Sequence, residues 1–403
     1  MTTLLDQWGS QEASDLQCLV ADRKSRGLPV QDFIGASPFD HGFQFDPDLL
    51  QQITGAAEVS ARRYSADPLG RREAREAVAS ALQHACGPDH VVLTPGTSLA
   101  YYYLFRLLAV PGGEVLCPAP TYPLFDDLAR LAGLRVRRYY LEKQKDARGN
   151  TRWAPDLRDL QFQVGPRTRA IVVVSPHNPT GTVTSRDELA GICDVANAAG
   201  VPVVFDEVFR SYLSTGELAA GTAVPRPAAC GAKLSFVLNG ISKSHYLPGW
   251  KAGWVVVEGT DAGQTRQAID ALEYLSDTFL PVHELSQCAL KALLGRLGMA
   301  EVHRLSQLQR GRLEQRLASA QSQGWTVMQP QAGPYICLDL SAQARSGAGS
   351  VRYGGSLSPA TPLDETIVTR LLTEQGTLFH PGHLYQFSPE ETVLVSTIYN
   401  PSP

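Results

Sequence analysis

The stretch GISKSHYLPGWKAGW (240–254) holds two lysines eight residues apart, each beside a turn. Lys243 follows the apolar run LSFVLNG (234–240), and Lys251 sits between Pro-Gly-Trp and the run WVVVEG (254–259). A single lysine after a strand is ordinarily a solvated charge, because its ammonium is rarely buried unpaired. The ends of the other apolar runs change its company. Gly96-Thr97-Ser98, Tyr122, Asn178-Pro179, Asp206 and Ser242 all lie just beyond such runs. They supply a small-residue turn opening a helix, an aromatic face, an amide, a carboxylate and a hydroxyl. Each has a plain reading: PGTS caps a helix, and a strand-end Asp is a surface carboxylate. Together they amount to a nucleophilic amine, an acid, an anion cradle and a stacking surface.

Those residues share a site only if the runs form one sheet. The candidate strands are VVLTPG (91–96), EVLCPAP (114–120), AIVVVS (170–175), VPVVFDE (201–207), LSFVLNG and WVVVEG. Helix-period segments separate several of them, namely 98–110, 121–133 and 185–200. Continuous apolar strands alternating with helices predict a mainly parallel sheet covered on both faces, whose ligands gather at the carboxyl ends of the strands. Ser185 with Glu188 predicts a capping box, and Gly200 the helix stop. A helical stretch over 283–322 is interrupted at Gly295 and Gly298. Beyond it, an antiparallel strand pair at 335–340 and 393–398 with a helix at 363–375 predicts a smaller α+β domain. The Gly/Ser/Pro-rich segment 346–362 reads as a mobile loop.

The chain has 403 residues, 43% hydrophobic and 19% charged, with a formal net charge of −4. That composition gives no electrostatic case for nucleic acid or an anionic membrane. No apolar run reaches the ~20 residues of a membrane helix, and the acidic N-terminus lacks the basic and apolar regions of a secretory signal. The seven cysteines show no metal-ligand spacing, so no metal is expected, and they read as reduced core thiols of a cytoplasmic protein.

A phosphate-bearing pyridine aldehyde would need an amine to bind its carbonyl, an acid beside its ring nitrogen, a phosphate cradle with a cation, and an aromatic to stack on it. The strand ends provide one of each. The chain resembles the class I/II aminotransferases of the pyridoxal-phosphate fold type I group. The resemblance rests on YSADPLG (64–70), TPGTS (94–98), PAPTYPLF (118–125), SPHNPTG (175–181), FDEVFRSY (205–212), NGISKSHYLPGWKAGW (239–254) and PQAGPYICLDL (330–340), in the family's order. It implies an α/β fold with a large domain around a mainly parallel seven-stranded sheet and a smaller α+β domain. The expected divisions are an N-terminal segment (1–45) packing on the small domain, a large cofactor domain (46–295) and a small domain (296–403). The implied cofactor is pyridoxal 5'-phosphate, with amino acids and 2-oxo acids as substrates and a homodimer with shared sites as the assembly. Lys243 is then the Schiff-base lysine and proton shuttle, Asp206 the partner of the pyridine nitrogen, and Asn178 a donor to the ring's phenolic oxygen and a contact for the substrate carboxylate. Tyr122 stacks on the ring, and Thr97, Ser98, Ser242 and Lys251 hold the phosphate. Tyr64 reaches the phosphate of the neighbouring subunit. Gly35 lies near the substrate.

Three departures stand out. Lys251 occupies a position where the family commonly has Arg, which grips two phosphate oxygens rather than offering a point charge. Phe209 stands where a Tyr commonly donates to the phenolic oxygen. The pattern VLVS (393–396) places Leu394 where the family's substrate-carboxylate Arg is expected. Arg210, Arg352 and His383 are the candidates to replace it. The same departure keeps a second activity open, a lyase, cyclase or decarboxylase acting on an unusual amino acid. A third reading, an effector-binding domain, lacks a DNA-binding segment before residue 30.

Overall fold

The computed structural model describes residues 14–35, 37–64, 66–81, 87–145, 151–213, 225–279, 282–342 and 362–400. Eight strands form the large sheet: β1 (Val91–Thr94), β2 (Glu114–Ala119), β3 (Arg135–Lys145), β4 (Thr151–Pro155), β5 (Thr168–Val174), β6 (Val203–Asp206), β7 (Ser235–Gly240) and β8 (Gly253–Glu258). Their order across the sheet is β1-β8-β7-β6-β5-β2-β3-β4. The pairs from β7 to β3 are parallel, and β8 runs antiparallel to both β1 and β7. The seven expected strands are therefore extended by an eighth, β4, folded back antiparallel on β3. Alternate residues feed two separate cores, so Val203 and Phe205 of β6 pack on one face and Val204 on the other. This two-sided burial explains the unbroken apolar runs.

The antiparallel direction of β8 matters for the site. The parallel strands end at one edge with Ala119, Val174, Asp206 and Gly240, and the amino end of β8 lies at that same edge, with Gly253 opposite both Gly240 and Thr94. A loop entering β8 thus joins loops leaving the others.

The helix α1 (Thr97–Leu108) follows β1, and α2 (Arg186–Ala199) opens on the capping box of Ser185 and Glu188 and stops at Gly200, φ 67°. The predicted 283–322 helix is two helices, α3 (Glu284–Leu293) and α4 (Arg296–Ser322), and breaks only at Gly295, the N-cap of α4. Gly298 lies within α4, and a Cβ there would meet the Leu293 carbonyl oxygen at 2.0 Å, so its missing side chain lets the two helices abut.

The smaller sheet holds β9 (Val327–Met328), β10 (Tyr335–Asp339), β11 (His380–Pro381) and β12 (Val393–Thr397), all antiparallel in the order β9-β10-β12-β11, with α5 (Leu363–Gln375) against it. The chain near the N-terminus packs here. Gln31–Asp32 pairs in parallel with Thr377–Leu378, and the Thr397 amide donates to the Phe33 carbonyl at 2.7 Å. Cys117, Cys193 and Cys337 are buried thiols, whereas Cys18 is exposed and Cys230 and Cys288 are half-buried, so not all the cysteines are core residues. No helix among the described residues is long and apolar enough to cross a membrane.

Candidate active site

Thr97, Ser98, Tyr122, Asn178, Asp206, Ser242, Lys243 and Lys251 line one cavity of about 600 Å³ at the strand-end edge of the large sheet. The fold therefore brings eight residues that are separate in the sequence to one cavity.

At one end, Gly96 turns the chain at φ 92° into the N-terminus of α1, and no side chain caps it. The first amides of a helix have no intrahelical acceptor and carry partial positive charge, so with Thr97 and Ser98 they form an anion cradle. Gly253 lets β8 press against this turn, since a Cβ there would meet Gly96 Cα at 3.0 Å. Lys251 precedes β8 in a left-handed conformation, φ 50°, and adds the cation.

At the other end, Asp206 closes β6 and is 7% exposed. Its Oδ1 accepts the Val208 amide at 2.9 Å and its Oδ2 the Tyr101 hydroxyl at 3.0 Å. Burial nevertheless raises its pKa to about 6. Lys243 sits in the one-turn helix Ile241–Ser244 after β7, with Nζ 5.9 Å from the centre of the Phe209 ring. Desolvation lowers its pKa against the opposing pull of Asp206, which enlarges the neutral, nucleophilic fraction of the amine. Tyr122 presents a ring that is 43% exposed. Asn178 enters a cis peptide with Pro179, is 8% exposed, and its Oδ1 has no hydrogen-bond partner among the described residues.

These features suit a phosphate-bearing pyridine aldehyde: an uncapped helix N-terminus with hydroxyls and a lysine, a buried carboxyl, an amine of lowered pKa, and an amide side chain in the same lining.

Other candidates lie elsewhere. Tyr64 is 66% exposed and does not line this cavity. Gly35 also stands outside the lining, its amide bonded to Asp32 Oδ1 at 2.7 Å. His383 is held by Asp364, through its amide at 2.7 Å and Nδ1 at 3.0 Å. Arg210 reaches Glu207 at 3.2 Å, and Arg226 grips the same fully buried carboxylate with contacts of 2.8 and 3.0 Å. Arg352 and the 346–361 part of its loop fall outside the described residues.

The strand register sets the face that Leu394 takes. It pairs with Leu338, while Val393, Val395 and Thr397 pair with Asp339, Cys337 and Tyr335. Directly opposed residues share a face. Tyr335 lines the cavity and Cys337 Sγ meets the Pro179 carbonyl at 3.6 Å, so that face looks toward the large sheet. Leu394 shares the other face with Ser396, whose Oγ meets Arg316 of α4 at 3.1 Å. The cavity side of β12 carries Val393 and Val395, and no residue of β12 is cationic.

Two contributors went unassigned in the sequence. Tyr101 lies four residues after Thr97, on the same helix face, a spacing that places it under the strand ends. Tyr335 lies in the quoted segment PQAGPYICLDL, and no local signal marks its phenol as facing the site.

The S-alkyl-thiohydroximate lyase of Arabidopsis thaliana is 29% identical over 248 residues, 60% of this chain and 48% of that one. Mouse (Mus musculus) tyrosine aminotransferase is 30% identical over 256 residues, 62% of this chain and 54% of that one. The match thus spans about half the length of these relatives. The solved alanine aminotransferase of Pyrococcus furiosus superposes with a TM-score of 0.79 at 22% identity, covering 96% of this chain and 92% of that one, a likeness of fold. The model of the family "Aminotransferase class I and II" matches residues 34–392, and with the strand-end site in place the chain belongs to that family, in the fold type I architecture.

Proposed function

We propose that this protein is a pyridoxal 5'-phosphate-dependent aminotransferase that moves an amino group between an amino acid and a 2-oxo acid in two half-reactions. The observation that carries the reading is that Lys243 and Asp206 line the same cavity as the Thr97–Ser98–Lys251 anion cradle. Bound there, the cofactor's protonated ring would supply an electron sink for the substrate's Cα–H bond. Thr97, Ser98, Ser242 and Lys251 would hold its phosphate. Tyr122 would stack on its ring, and Asp206 would keep the ring nitrogen protonated. Lys243 Nζ would hold its aldehyde carbon and, as a free amine, would move the substrate's Cα proton.

Tyr64, exposed and outside the lining of its own chain's cavity, is the residue through which a second copy would complete the site, so the reading includes a homodimer. Free thiols such as Cys117 and Cys193 suit the reducing cytoplasm assigned to it.

A second reading shares the cofactor but not the outcome. Val393 and Val395 leave the cavity side of β12 without a cation, and a carboxylate held without a bidentate Arg is less firmly oriented. A lyase, cyclase or decarboxylase on an unusual amino acid fits that feature. Mixing the cofactor-loaded protein with Ala, Asp or Glu separates the two. Transamination predicts loss of the bound cofactor's absorbance with one keto acid per cofactor. Ammonia, CO₂ or a rearranged product would favour the second reading, and no spectral response to any amino acid would reject the first.

A further inference from the structure

Tyr101 donates its hydroxyl proton to Asp206 Oδ2 at 3.0 Å, and the Val208 amide donates to Oδ1 at 2.9 Å. Each oxygen of the carboxylate therefore already accepts one hydrogen bond from the protein. Tyr101 is 4% exposed, edge-on to Phe125 with ring centres 5.1 Å apart and tilted on Phe105 at 5.7 Å, so packing holds the phenol in place. Burial, then the charge of Asp206, keeps the phenol's pKa far above its ordinary value, so it retains its proton and stays the donor. Both Tyr101 and Asp206 line the cavity.

The helix that brings Tyr101 also opens on the anion cradle. Thr97 begins α1, and Tyr101 follows one turn later, about 6 Å along the axis. One rigid element thus ties the two ends of the cavity together. An ionised carboxylate only accepts hydrogen bonds, whereas its protonated form also donates one. Donors seated on both oxygens favour the ionised form. Burial works against them: it raises the Asp206 pKa to about 6, and the bonds from Val208 and Tyr101 oppose that rise. A buried hydroxyl needs some acceptor, and Asp206 meets that need. Its place in the cavity lining gives the bond a second consequence.

We propose that Tyr101 is a positioning residue whose hydrogen bond makes Asp206 meet an aromatic ring nitrogen as the acceptor of its N–H, not as an acid donating to it. The ligand class is a protonated nitrogen heterocycle that also bears an anionic group for the Thr97–Ser98 turn. This rests on the cofactor reading above and adds to it which group of the chain decides where the proton between acid and ring resides.

The test compares wild type with Tyr101→Phe and with a fluorinated tyrosine in place of Tyr101, which keeps the ring and donates more strongly. In the cofactor-free protein the readout is the pH at which the decline of the thermal midpoint levels off, with Asp206→Asn marking what other groups contribute. Glu207 beside Asp206, Lys243 after β7, and Cys117 and Tyr139 near Tyr101 are the titratable neighbours, and they are the same in each variant. The decline ends at the folded-state pKa of Asp206, so losing a donor to the ionised form moves that pH up and a stronger donor moves it down. Tyr101→Phe is expected to raise it by about 1 pH unit, the equivalent of one hydrogen bond to a charged group. The fluorinated tyrosine is expected to lower it. A packing role alone would displace the whole curve and leave that pH in place. In protein loaded with pyridoxal 5'-phosphate, magnetic resonance of an isotope-labelled ring nitrogen reads the proton directly. The expected signal is that of a protonated nitrogen in wild type, shifted toward the unprotonated value in Tyr101→Phe. An unchanged pH in either variant, or a changed pH with the same nitrogen signal, overturns the proposal and leaves the cofactor reading standing. A wild-type protein that takes up no cofactor overturns both.

Discussion

Asp206 receives two hydrogen bonds, yet burial outweighs them and its pKa rises to about 6 from 3.8. In the cofactor-free protein this is a destabilising feature with a definite pH window. Below pH ~4 both folded and unfolded chains hold the proton, and no cost arises. Between ~4 and ~6 the unfolded chain releases it first, so stability falls as pH rises, by about 3 kcal/mol at most once both are ionised. Asp206→Asn is therefore expected to flatten the thermal midpoint of the cofactor-free protein between pH 4.5 and 7, where the wild type declines. Melting curves at the two pH values check this. Lys251 poses a separate question of grip. Lys251→Arg offers two parallel donors to a phosphate and is expected to tighten cofactor binding by about tenfold, on the order of 1.4 kcal/mol. Fluorescence titration of the cofactor measures it, and equal or weaker binding would mean that the turn at Lys251 does not admit the longer fork. The chemistry-bearing side chains at the strand ends were legible because their types are unusual as a set. Tyr335 was not, because a tyrosine in an apolar strand reads as core until the facing element is known.

The elements explain why some of the fold was legible and some not. The strands β1, β2 and β5–β8 announce themselves as apolar runs because both faces of the sheet are covered. β3 did not, since Arg135, Arg137 and Arg138 interrupt it and its outer half is exposed on the margin of the sheet. β4 follows as its hairpin partner, through residues 146–150 that lie outside the described set. The facing of β12 was likewise hidden: a motif gives the order of residues, whereas the cross-strand pairs with β10 give the face, and a shift of one residue exchanges the two faces. Contact between the two sheets also runs through Gly181, φ 68°, whose carbonyl accepts the amides of Gln331 and Ala332 at 2.9 and 3.0 Å. A Cβ there would stand 2.4 Å from the Ala332 carbonyl oxygen. Gly181→Ala is expected to cost about 2 kcal/mol or more in stability, from positive φ and overlap together, and to displace Asn178 three residues away. Chemical denaturation with and without cofactor checks both parts, and a variant of wild-type stability would contradict the close approach.

Across the whole molecule, the two sheets meet at the cavity, one supplying the amine, acid and anion cradle and the other Tyr335. A second copy is expected to matter because Tyr64 is exposed and does not line its own cavity. Sedimentation is expected to show a dimer, with Tyr64→Phe weakening cofactor binding by roughly tenfold, the loss of about one charge-assisted hydrogen bond. A monomer with full cofactor affinity would contradict shared sites. The most direct measurement concerns the covalent link itself. Protein loaded with pyridoxal 5'-phosphate is reduced with borohydride, digested, and read by mass spectrometry. The account predicts a pyridoxyl group on Lys243 and none in Lys243→Ala. A label elsewhere, or no label in a protein saturated with cofactor, would contradict it.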